Sequence, residues 1–252
     1  MPAEFFKSFE RTVSQARLTS YRRPGDSEND TLARYLWNAS LCEALHAPLQ
    51  HLEVGFRNAL HLALVEVNAN QNWVSQIDRS ILQPQEIATV EEAKGALIER
   101  GRPTDEGYVI NELGFGFWAS LLDSRYDRIW PPIIAKVFPH CPRRDRTRRD
   151  ISRAITRIRR LRNSAFHHHS IWHWGDLASR HNELKTVIGW ICPALALIVT
   201  KIDRFPAVFR AGEKMHISSL AEILEPPRIV DDRKPAPHIK FIASDSGSTA
   251  SS

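Results

Sequence analysis

Cysteine and glycine are both scarce in this chain, with three cysteines and 11 glycines among 252 residues. Cys42, Cys141 and Cys192 stand far apart with no CxxC pair. That spacing argues against a disulfide framework and a cysteine zinc site, and makes a reducing cytoplasm the natural setting. No G-x-G-x-x-G or G-x-x-x-x-G-K-[ST] frame occurs, so no phosphate-cradling loop is expected. Gly114-Phe115-Gly116-Phe117-Trp118 reads instead as close helix packing. Long apolar runs are missing too. The most apolar stretch, Val187 to Val199, contains Pro193. It falls short of the roughly 20 residues that span a bilayer, and it reads as a buried helix. Residues 1–7 lack the basic start and apolar core of a signal peptide. Histidines cluster at His167, His168, His169 and His173, with His140 upstream, but none sits in an H-E-x-x-H frame, so neither a metal nor another cofactor is expected.

Strict alternation of apolar and polar residues is also absent. Nearly every apolar stretch repeats at three and four, which predicts an all-α bundle. Phe5, Phe9, Val13 and Ala16 predict a helix over residues 3–18. Asn29 or Asp30 is placed to cap a second, carrying Leu32, Tyr35, Leu36, Leu41 and Leu45. Pro48 is read as the first turn of a third helix, with Leu49, Leu52, Phe56, Leu60 and Leu64 as its buried stripe. Pro84 starts a helix running through Arg100, and another covers Val109 to Leu122. Tyr126, Trp130, Ile133, Ile134 and Val137 mark a short helix interrupted at Pro131-Pro132. Ser179 is placed to cap a long helix through Lys201, with Leu195, Ile198 and Ile202 facing inward. Met215 to Leu224 closes the set. A single helical domain over 1–225 is expected, followed by a flexible polar tail over 226–252.

The formal charge of +5 is unevenly placed. Residues 143–162 hold ten arginines against two aspartates, a concentration that reads as a footprint for a phosphate backbone. Within it, Thr147 and Asp150 are spaced as a capping pair. Ile151, Ala154, Ile155, Ile158 and Leu161 then form one helical face. Arg153, Arg157 and Arg160 flank that face and are the candidate RNA contacts. Arg162 falls on the apolar stripe itself, so it must be paired or line a cleft. The helix ends in Asn163-Ser164-Ala165-Phe166-His167-His168-His169, a run that as a plain structural feature would be a C-terminal cap.

Arg162-Asn163, three residues, His167-His168 and then Trp172 resemble the signature of Abi-like abortive-infection proteins, a branch of the HEPN superfamily of helical ribonucleases. Leu52-Glu53-Val54-Gly55-Phe56-Arg57-Asn58-Ala59-Leu60 and Gly114 to Trp118 resemble blocks of the same branch in the same order, so the resemblance spans roughly residues 5 to 205. The chain departs from the pattern at Ser170 and His173, where such proteins often carry arginine and asparagine. The resemblance implies an HEPN-like bundle with additional N-terminal and C-terminal helices. It implies a metal-independent endoribonuclease with Arg162, Asn163 and His167 catalytic, and with His168 and His169 as alternatives in register. It further implies a homodimer sharing a composite site, an RNA substrate, a toxin or anti-phage role and an antitoxin or regulatory partner. The residue types suit that chemistry, since histidine can move a proton near neutral pH and arginine can offset charge on phosphoryl oxygens. Glu53 and Arg57, four apart, either pair with each other or orient Arg162 or His167; the mutual pair is the expected arrangement.

Overall fold

The computed structural model describes residues 2–224, all helix and loop with no strand. The tail expected over 226–252 lies outside the described residues. None of the described helices is long and apolar enough to cross a membrane, and the three cysteines are free thiols.

The N-terminal segment forms two helices where one was expected, α1 (Pro2–Val13) and α2 (Gln15–Thr19). Ser14 separates them with φ 78°, and its hydroxyl accepts the Arg17 N–H to cap α2. α3 (Glu28–Asn68) is one helix of 41 residues, not two. Its cap is Ser27, two or three residues earlier than expected. Asp30, at the third helical position, accepts the Ser27 N–H in return at 3.0 Å. Pro48 lies inside α3 and is buried. An interior proline costs about 3 kcal/mol, but Leu41, Leu45, Leu49, Leu52, Phe56 and Leu60 on both sides of it share one buried face. Burial along that uninterrupted face offsets the local penalty.

The remaining helices wrap this spine. α4 (Pro84–Glu99) begins at its proline as expected. The Val109 to Leu122 region divides into α5 (Glu106–Glu112) and α6 (Phe115–Ser120). Gly114 and Gly116 do not serve close packing, because a Cβ at either would meet nothing within 4 Å. Gly114 is the extended residue preceding α6, and Phe115, Phe117 and Trp118 fill the core. Close approach occurs instead at Gly55, where a Cβ would lie 3.1 Å from Leu195. α7 (Trp130–Val137) takes Pro131 and Pro132 into its first turn, where missing N–H groups cost little. α8 (Arg148–Phe166) carries the basic segment.

The expected long C-terminal helix is broken into α9 (Leu177–Ile191) and α10 (Pro193–Ile202). Cys192, held extended before Pro193, makes the break. α9 follows Asp176 rather than Ser179. α10 is a surface helix, not a buried one: Leu197, Ile198 and Ile202 are exposed, and Val199 is its buried residue. α11 (Phe205–Ala211), a 3₁₀ turn over Glu213–His216 and α12 (Ile217–Leu224) complete the described chain.

Two apolar cores result. The larger surrounds α3 from Leu41 to Leu64 and takes in Trp73, Trp118, Trp130 and the buried face of α8. The smaller joins Phe6, Leu18, Leu32, Ala33 and Leu220, bringing α1, α2 and α12 onto the N-terminal part of α3.

Candidate functional site

α8 opens as its sequence indicates. The Thr147 hydroxyl oxygen accepts the Asp150 N–H at 3.1 Å, and the hydroxyl itself donates to the Asp150 carboxylate at 2.6 Å. Ile151, Ala154, Ile155, Ile158, Leu161 and Ala165 are buried, which fixes the helix's rotation. That rotation leaves Arg162 at the edge of the buried face, with its side chain 28% exposed.

Arg162 is held by two weak contacts and one longer one. Its guanidinium lies 4.8 Å from the Phe166 ring centroid. Its Nε is 3.7 Å from Glu53 Oε2, an ion pair without a hydrogen bond, and that buried Nε has no hydrogen-bond partner among the described residues. Its Nη1 is 3.5 Å from Asn163 Oδ1. Glu53 therefore faces Arg162 rather than Arg57, contrary to the mutual pairing favoured by their spacing. Its second oxygen accepts the Phe115 N–H at 3.0 Å, so one carboxylate joins α3, α6 and α8. Arg57 turns away and donates from Nε to Asn58 Oδ1 at 3.3 Å.

The histidine run terminates α8 in a Schellman arrangement. The His169 N–H donates to Ser164 C=O at 2.8 Å and the His167 N–H to Asn163 C=O at 2.9 Å. His168 occupies the left-handed position, φ 59°, where glycine is usual. The backbone is thus tied down while the three imidazoles remain exposed, without hydrogen-bond partners among the described residues. The rings of His167 and His169 stand 6.4 Å apart between centroids.

The chain beyond the cap is anchored by residues not singled out in the sequence. Asn38 is 4% exposed. Its Oδ1 accepts the N–H groups of Ile171 at 2.7 Å and Trp172 at 3.1 Å, while its Nδ2 donates to His169 C=O at 3.3 Å. Arg17 donates to His168 C=O. Trp172 donates to Ser20 C=O at 3.1 Å and lies against the guanidiniums of Arg23 and Arg34. Arg34 is buried and bonded to Tyr21 C=O, Asp26 and Glu213. Asn38 and Arg34 were traceable as polar side chains three and seven positions before Leu41 on its buried stripe.

The arginine face is less free than its composition implies. Arg153 pairs with Asp150 at 3.1 Å. Arg157 forms a forked pair with Glu183, which holds its guanidinium more firmly charged. Arg160 and Arg149 are exposed and Arg159 is half-buried, and none of the three has an ion-pair partner among the described residues. His61, whose spacing from Arg57 echoes the signature, accepts the Trp73 indole N–H at 3.1 Å, and burial lowers its affinity for a proton. No three histidine, cysteine or acidic side chains come together as metal ligands among the described residues.

Comparisons of this chain with protein-family models, with characterised proteins and with solved structures return no match.

Proposed function

We propose that this protein is a metal-independent endoribonuclease on an HEPN-like bundle, acting as a toxin or anti-phage effector in the cytoplasm and working as a homodimer. The observation that carries this reading is the gathering of Arg162, Asn163 and the exposed rings of His167 and His169 at one helix end, whose backbone is fully tied down. One imidazole takes the proton of an RNA 2′-hydroxyl as that oxygen attacks the adjacent phosphorus. The bond to the 5′-oxygen breaks, and that oxygen takes a proton from a second, protonated imidazole. The products are a 2′,3′-cyclic phosphate and a 5′-hydroxyl. Arg162 offsets the charge growing on the phosphoryl oxygens, Glu53 holds its guanidinium, and Asn163 orients it. With rings 6.4 Å apart, His167 and His169 supply acceptor and donor from one chain, and a second copy brings a further arginine to the cleft. Arg160, supported by Arg153 and Arg157, contacts the phosphate backbone. An antitoxin belongs to the same reading.

A non-catalytic RNA-binding module is the second reading. The Schellman geometry favours it, since a cap accounts for the histidine run without chemistry. Labelled RNA incubated with purified protein in EDTA, followed by end-group analysis, separates the two. Cleavage leaving cyclic phosphate ends is expected. His167→Ala should reduce it by about 10² or more with RNA binding retained. Wild-type cleavage by the His167→Ala, His168→Ala and His169→Ala chains alike would refute the nuclease.

A further inference from the structure

A cleft of about 800 Å³ opens beside the signature, between α1–α2 on one side and α3 with the last turn of α8 on the other. Its size falls within the range of small-ligand sites, roughly 300–1,000 Å³. Phe166 joins it to the candidate site, because the ring that carries the Arg162 guanidinium at 4.8 Å also packs against His46 at 5.1 Å in the cleft wall. We infer that the cleft receives an unstacked nucleobase of a single-stranded RNA, next to the phosphate held by Arg162.

Three features carry this. The walls are rich in aromatic rings, with Tyr35, His46 and Phe166 among the lining side chains. Stacking on such faces is how single strands are held without a fixed sequence. The charge at the cleft suits a ligand that bears phosphate. Arg17 lines it without an acidic partner among the described residues, whereas Glu43, the acidic side chain lining it, is engaged by Arg204 at 2.7 Å. The polar edge is selective but unreactive. The Tyr21 hydroxyl oxygen accepts the Asn38 side-chain N–H at 3.2 Å, and Tyr35 brings a second hydroxyl to the lining for a base edge. Burial pushes the Cys42 thiol up to about 11, so it stays a neutral packing group and not a nucleophile.

The inference rests on the nuclease reading for its substrate, and its test is built to separate the two. The probe is a short single-stranded 2′-O-methyl oligoribonucleotide, which binds but lacks the attacking hydroxyl, titrated into the full chain by fluorescence anisotropy. Ala39→Trp fills the cleft from an exposed position on α3, and His46→Ala removes a wall from another. Each should weaken binding by roughly 5- to 100-fold, the span of a lost base stack. An abasic position in the oligonucleotide should produce a similar loss that does not add to that of Ala39→Trp. Unchanged affinity in both variants overturns the cleft assignment, the result expected if an apolar peptide or lipid chain is its true occupant. No binding by the native chain overturns it as well. Cleavage is read separately on unmodified RNA. Native cleavage with unaltered affinity in both variants leaves the nuclease standing without the cleft. Weakened affinity in a chain that never cleaves keeps the cleft and removes the nuclease.

Discussion

Two stretches of the same helix are secured by different means. From Leu41 to Leu64, α3 is enclosed by tryptophan, phenylalanine and leucine side chains, and Phe56 touches both Phe115 and Phe138. Around Leu32 and Ala33 the apolar cluster is small, and hydrogen-bonded polar groups do more of the fixing. Arg34 joins Asp26 and Glu213, and Asn38 ties down the loop that leaves the histidine cap. Dispersion and area burial are tolerant of direction, whereas a hydrogen-bonded network sets geometry at a given atom. The candidate site and the adjoining cleft lie at the seam between these regions, with the rigid apolar body behind Arg162 and the polar network behind the histidines.

The largest test of this contrast compares truncations in the two cores. Phe56→Ala should cost about 3–5 kcal/mol in denaturant unfolding, and Leu18→Ala about 2 kcal/mol, the low end for a buried leucine with few neighbours. Hydrogen exchange should show Phe56→Ala loosening the whole bundle and Leu18→Ala loosening only α1, α2 and α12. Equal costs with global loosening in both would merge the two cores into one unit. A smaller effect is expected at the seam. Asn38→Ala leaves two backbone N–H groups unpaired, at about 1–3 kcal/mol for a buried unsatisfied group. Faster exchange should be confined to the amides of residues 167–172, and an unperturbed loop would show that Asn38 is incidental. The smallest effect has the opposite sign. His168→Gly relieves a left-handed residue and should raise the melting temperature by about 1–3 °C, while a drop would mean that the imidazole contributes packing the cap depends on.

Much of the local structure was readable from the chain. The start of α4 at Pro84, the Thr147–Asp150 cap and the buried face of α8 all follow from residues within a turn or two of one another. Arg162, read as lying on that stripe, sits at its edge with its side chain 28% exposed. What the site looks like was less readable. Glu53 stands four residues from Arg57 and 109 positions before Arg162, yet it is Arg162 that it faces. The anchoring of the histidine loop by Asn38 joins positions more than a hundred residues apart.

The sequence by itself determined the helical class, the buried faces of α3 and α8 and the Thr147–Asp150 cap, because periodicity and capping are energies between neighbours. Tertiary structure decided where helices run on or stop. α3 continues through Pro48 because one apolar face is buried along its length, and α10 separates from α9 at Pro193 to leave Leu197 and Ile198 at the surface. A proline carries the same local penalty in both places. Only the surface waiting on either side of it settles whether that penalty is met, and that surface comes from remote parts of the chain.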